Sequence, residues 1–273
     1  MAADRIRSSS PSIFSGVDYL IDSALQLTGD VALGRAAIGN PPHHEHDSSC
    51  QRLSALPLKG FDSIALLTAI YDKIGTNWDT SSYHNGSDEN WRLDDPRTEL
   101  AEGNDSPEVC LERAIVRTMN ALEPNSMSWV NQVPVASGLV HATADRSRKI
   151  DLVHKLDEKT FELIELKVRS DTPLYAAMEI LKYAVVYAFC RHDSRVQQSI
   201  FKDRKLLEAE RIHLRVLAPA AYYKNYDLAW LETGLNEGLA EFRIAQGLTF
   251  ASDFAFETLA FIERSPTKWP SEP

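Results

Sequence analysis

The chain has 273 residues and a formal net charge of −10; 44% of its residues are apolar, 25% charged and 9% aromatic. That balance excludes fibrous and low-complexity classes and is ample for a hydrophobic core. The longest unbroken apolar run, residues 183–190, falls far short of the ~20 residues of a spanning helix, so no membrane location is expected.

The first residues, MAADRIRSSSPSIF, lack the apolar centre of a secretion signal. Cys50, Cys110 and Cys190 are too widely spaced for a disulfide framework, a zinc site or an iron–sulfur site. Both features predict a protein of the reducing cytoplasm. Apolar residues at helical spacing predict one or two helices over residues 13–38. A polar stretch with Gly39, Pro41 and Pro42 predicts a loop over residues 39–58. Inside it the run His43-His44-Glu45-His46-Asp47 lacks helical His spacing and a distant fourth ligand, so it reads as a solvated segment and not a zinc site.

A helix is predicted over residues 61–74, then an exposed acidic connection over residues 75–107. Ser106 caps the next helix with Pro107 at its first position, over residues 108–122. Strands follow at residues 128–135, 149–154 and 161–168, the last rich in large apolar side chains. Thr172 and Pro173 open a helix to about residue 190. A strand at 211–218, an amphipathic helix at 228–245 and strand character at the end of 248–259 complete the order. The alternation predicts a central mixed sheet flanked by helices, α/β or α+β, over residues 106–273. Residues 1–105 read as an attached helical and acidic region.

Asp151 lies within a short apolar strand, where an acid is costly unless it is used or paired. Glu165-Leu166-Lys167 stands on the next strand, and strand alternation puts Glu165 and Lys167 on one face with Leu166 on the other. A hairpin turning at residues 156–160 brings Asp151 beside Glu165. Two carboxylates next to an ammonium, with the Leu166 carbonyl, form a hard oxygen pocket for Mg²⁺ or Mn²⁺. Such a metal activates water and neutralises charge on a phosphorane, while Lys167 orients the nucleophile.

Asp151 followed by Glu165-Leu166-Lys167 resembles the signature of the PD-(D/E)xK, restriction-endonuclease-like, nuclease superfamily. Glu112, in the helix before the sheet, matches the position of a metal-associated acid in many members. Glu179 and Tyr183, at i and i+4 on the following helix, resemble the Gln-x-x-x-Tyr element of the RecB-like branch. Ile150 stands where the family name has proline, Glu179 replaces the usual glutamine, and no cysteines match those of iron–sulfur members. The resemblance covers roughly residues 108–220. It implies a restriction-endonuclease-like core, metal binding by Asp151, Glu165 and the Leu166 carbonyl with Glu112 near a second metal, and support from Glu179 and Tyr183. The implied activity is hydrolysis of phosphodiester bonds, in DNA rather than RNA, by an endonuclease.

Charge is uneven along the chain. Residues 1–140 carry 10 basic and 19 acidic side chains, whereas residues 141–224, which hold the Asp–Glu–Lys triad, carry 16 and 12. Arg169, just past the Glu-x-Lys strand, and Lys182, on the crossover helix, are placed to contact a phosphate backbone. The acidic N-terminal region is expected to gate the groove, bind a protein partner or pair with a second copy. The competing expectation is a catalytically silent nuclease fold acting as an acidic protein-binding or nucleic-acid-mimicking module.

Overall fold

The structure, a computed structural model, describes residues 11–28, 42–103, 105–122, 128–199 and 204–259. The chain enters through α1 (Val17–Ala24), within the segment read as helical; residues 29–38 of that segment lie outside the described residues. A 3-10 turn at His43–Glu45 and α2 (Asp47–Ala55) occupy most of the stretch expected to be a loop. Cys50 and Leu53, one turn apart and buried, supply the apolar stripe that Gly and Pro at the start of the segment obscured.

α3 (Ser63–Asp79) starts where the Asp62 side chain accepts the Ala65 N–H at 2.9 Å, the usual N-cap bond. Among the described residues, the acidic connection that follows has no regular element up to residue 106, but it is not wholly exposed. Trp91 is 1% accessible and Asn90 fully buried, with Asn90 Nδ2 donating to the Ser137 carbonyl at 2.9 Å. α4 (Pro107–Leu122) matches its predicted start.

Among the described residues, β1 (Trp129–Pro134), β2 (Lys149–Lys155), β3 (Thr160–Leu166), β4 (Arg211–Ala218) and β5 (Ala251–Thr258) form one sheet in that spatial order. β1, β2 and β3 are antiparallel neighbours, and β3, β4 and β5 run parallel. The change of direction falls at β3, the middle strand. Parallel neighbours require crossovers, supplied by α5 (Pro173–His192) between β3 and β4 and α8 (Ala229–Ala245) between β4 and β5. The short helices α6 (Ser194–Ser199) and α7 (Ala220–Tyr223) lie in these connections. The result is the expected mixed sheet flanked by helices.

Period-two alternation sorts the strands onto two faces. Val153, Phe161, Leu163, Leu214 and Phe254 join the main core with α3, α5 and α8. Leu152, Ile164 and Leu166 meet Leu111, Ile115 and Val116 of α4 in a smaller cluster on the other face. Ile13, Val17 and Ile21 belong to the main core as well, so residues on both sides of position 105 share it. α5 is, among the described residues, the one helix long and apolar enough to cross a membrane, and 83% of its apolar window is buried in the fold. It is the central core helix.

Candidate active site

The β2–β3 hairpin closes where Leu156 N–H donates to the Thr160 carbonyl at 3.0 Å. Its register pairs Leu152 with Ile164, which places Asp151 across from Glu165. There the Asp151 Oδ2 accepts the Leu166 N–H at 2.9 Å. Lys167 Nζ lies 2.8 Å from Glu165 Oε1 and 3.5 Å from Glu179 Oε2. It is also 3.3 Å from Asp171 Oδ2. One turn along α5, Tyr183 O–H donates to Glu179 Oε1 at 3.2 Å, and Arg148 approaches that oxygen at 3.8 Å. The four charged positions read from the sequence therefore converge, with Tyr183 behind them.

These groups line a cleft of about 380 Å³ together with Glu112 and Gln132. Seven carboxylates face two ammonium groups, Lys149 and Lys167, across it. Leu166 borders the cleft although its side chain packs in the cluster beneath α4; its contribution is therefore its backbone, as alternation requires.

The electrostatics follow from crowding acids in a half-closed space. Burial pushes the Asp151 carboxyl up to about 7, against the opposing pull of Lys167 and the Leu166 N–H. Burial first, then the charges of Asp151 and Glu179, hold Glu165 well above the carboxylate range. Glu179 goes the other way: burial opposes its ionisation, but Lys167 and Lys182 outweigh it. Lys167 is held far above the ordinary lysine range because Glu165 and Glu179 outweigh its own desolvation. An ammonium held between Glu165 and Glu179 is suited to orient a nucleophile. Tyr183 is raised by burial and by Glu179, so its hydroxyl remains a hydrogen-bond donor.

Glu112 is 2% accessible. Its carboxylate accepts from Asn131 Nδ2 at 2.7 Å and from Gln132 Nε2 at 2.5 Å. Arg169 is exposed, three residues past the end of β3. Lys182 is different: it is 3% accessible and its Nζ is 2.9 Å from Asp18 Oδ1. It ties α5 to α1 and is removed from the set of phosphate contacts, because its face of the helix is covered by the N-terminal region.

The histidine run is a second correction. His44 is fully buried, with Nδ1 2.7 Å from Asp22 Oδ1 and its ring stacked on Tyr175 at 5.8 Å. Glu45, hydrogen-bonded by Tyr175, reaches the cleft wall. Sequence reasoning missed Glu45, Tyr175, Gln132 and Glu108. Glu108 alone carried a signal, as an acid in the first turn of a helix; its Oε1 accepts from Val168 N–H at 3.1 Å and Ser170 Oγ at 2.6 Å. That clamp fixes the segment after β3 against α4.

Among the described residues, no group of three or more His, Cys, Asp or Glu side chains is placed to hold a metal ion. Of the carboxylates lining the cleft, Asp151 and Glu165 stand across from each other on β2 and β3, next to the Leu166 backbone. One or two carboxylates with retained water is the pattern Mg²⁺ takes, in contrast to the all-protein cages of Ca²⁺ or structural zinc, so the donor set fits. Compared with protein-family models, with curated proteins and with solved structures, the chain matches none.

Proposed function

We propose that the protein is a metal-dependent nuclease with a restriction-endonuclease-like core, cutting phosphodiester bonds in DNA as an endonuclease. The observation that carries this reading is the meeting of Asp151 on β2, Glu165 on β3 and Lys167 just past the end of β3, the middle strand, with Lys167 2.8 Å from Glu165. Charges on a central strand are costly unless they serve a purpose, and this trio suits metal-assisted hydrolysis. Asp151, Glu165 and the Leu166 carbonyl are assigned to Mg²⁺ or Mn²⁺, with Glu112 beside them. When bound, the metal supplies Lewis acidity and a water of lowered pKa. Lys167 directs the attacking water, and Glu179 and Tyr183 hold Lys167 in place. Arg169 contacts the backbone of the nucleic acid.

The strongest observation for the competing class is the excess of carboxylates in the cleft, which repels a polyanion in the absence of cations. In that reading the chain is an acidic binding module. Cleavage separates the two: single- and double-stranded DNA and RNA are incubated with Mn²⁺ or with EDTA. The nuclease reading expects Mn²⁺-dependent cleavage of DNA, reduced at least about 100-fold in Lys167→Ala, the usual effect of removing one transition-state donor. Absence of cleavage on every substrate, with DNA or a protein still bound, favours the binding module.

A further inference from the structure

The structure assigns Gln132 as the residue that positions Glu112 at the cleft. In a strand, consecutive side chains point to opposite faces, so Asn131 and Gln132 belong on different sides of β1. The register pairs Asn131 with Leu152 and Val133 with Ile150, which sets Gln132 across from Asp151. Yet both amides reach the same carboxylate: Asn131 Nδ2 donates to Glu112 Oε1 at 2.7 Å and Gln132 Nε2 to Glu112 Oε2 at 2.5 Å. The backbone at Gln132 makes this possible. Its φ is +54°, in the left-handed region that a side chain other than Gly or Asn seldom adopts. The twist brings the Gln132 amide from the Asp151 row to the α4 side of the sheet.

The two amides are not equivalent. Asn131 is buried and locked on both ends, its Oδ1 accepting the Arg97 N–H at 2.8 Å and its Nδ2 also donating to the Arg97 carbonyl at 2.9 Å. It anchors the connection before α4. Gln132 has no such second tie among the described contacts, and it lines the cleft with Asp151 and Glu112. If only a turn of this shape were needed, glycine would adopt it without strain. Strained side chains concentrate at functional sites, where the surroundings hold them in place. Gln132 occupies one lone pair of the second oxygen of Glu112, while Asn131 and, at 3.3 Å, Arg113 Nη1 hold the first; it sets the rotation of that carboxylate and so fixes the direction of its remaining lone pairs toward the cleft. It is a positioning residue, acting through Glu112.

This inference rests on the nuclease reading, because it takes Glu112 to act on a bound cation. Mn²⁺ binding to the full-length chain is measured by titration calorimetry, and melting temperature in EDTA is measured alongside. The variants are Gln132→Gly, Gln132→Asn, Glu112→Gln and the double Gln132→Gly/Glu112→Gln. Gln132→Asn keeps an amide and tolerates the backbone but is one methylene too short to reach. Both single changes at Gln132 are expected to weaken Mn²⁺ binding by about tenfold or more, as loss of an orienting partner does. Neither is expected to lower the melting temperature beyond the effect of one lost hydrogen bond. The double variant is expected to bind no more weakly than Glu112→Gln alone, since the two act as a unit. Wild-type affinity in Gln132→Gly and Gln132→Asn overturns the assignment while leaving the nuclease reading intact, as does an additive double variant. A wild-type chain that takes up no Mn²⁺ overturns both.

Discussion

Lys167 is held by three carboxylates, and none of them is its neighbour in sequence: Glu165 lies two residues before it, Asp171 four residues after it, and Glu179 on α5. Such a cluster keeps the ammonium charged, and the ammonium only partly offsets the hydration that the acids lose on burial. The cost appears at Asp151, raised to about 7 from about 4 in an unfolded chain. A raised carboxyl takes up a proton on folding, so its penalty is absent below about pH 4, grows as pH rises to about 7, and is full above that. Asp151→Asn is therefore expected to raise the melting temperature in EDTA at pH 8, by roughly 1–3 kcal/mol of stability. The gain should disappear near pH 4 and be reversed in function, with Mn²⁺-dependent cleavage lost. A melting curve for Asp151→Asn that is lower than wild type at pH 8 would show that the carboxylate is better solvated than its setting implies. The identity of these residues was legible because an acid in an apolar strand and a Glu-x-Lys on the next are conspicuous. The fate of Lys182 was not, because only the fold brings Asp18 to it.

At the level of elements, the site depends on β3 being central and on α5 lying directly over it. Thr172 caps α5, its Oγ1 accepting the Tyr175 N–H at 3.2 Å, and one face then carries Glu179 and Tyr183 to the cleft while the rest fills the core. The helical layer above the sheet packs closely where α8 crosses α3. A Cβ added at Gly238 would stand 2.3 Å from Ser63 Oγ and 3.0 Å from the Ser63 backbone carbon. Alanine is ordinarily favoured over glycine in a helix by about 1 kcal/mol. Here the contact includes backbone and the α3 start, where Ser63 Oγ donates to the Gly234 carbonyl at 2.6 Å, so overpacking wins. Gly238→Ala is expected to destabilise by about 1–3 kcal/mol, seen as a fall in melting temperature; a rise would mean the helices separate freely. Most helices and all five strands could be read in the sequence, since each keeps one periodicity over its length. α2 was hidden because its apolar stripe is brief and follows Gly, Asn and Pro.

For the whole molecule, the acidic half of the chain is also a structural half. Ile13, Val17, Ile21, Leu67, Ile70 and Ile74 have no exposed surface and join the same core as the strands. Burying six such side chains is worth about 10 kcal/mol or more, comparable to the entire stability of an ordinary domain, about 5–15 kcal/mol. Deletion of residues 1–105 is therefore expected to leave no cooperatively folded chain, checked by near-ultraviolet circular dichroism and thermal melting. A truncated chain that melts sharply would show instead that residues 106–273 fold alone. The N-terminal region also places Glu45 in the cleft wall and takes Lys182 out of it, so its contribution to the site is direct. That role is additional to any gating, partner contact or pairing of copies.

The sequence by itself determined the strand and helix pattern, the alternation that separates Glu165 and Lys167 from Leu166, and the candidate triad, because each depends on residues close together in the chain. Only the tertiary structure decided which charges meet. Burial of His44 against Asp22, the pairing of Lys182 with Asp18, and the double grip of Asn131 and Gln132 on Glu112 join residues 19 to 164 positions apart. Side chains so distant meet through the packing of whole elements, and local periodicity carries no record of which faces come together.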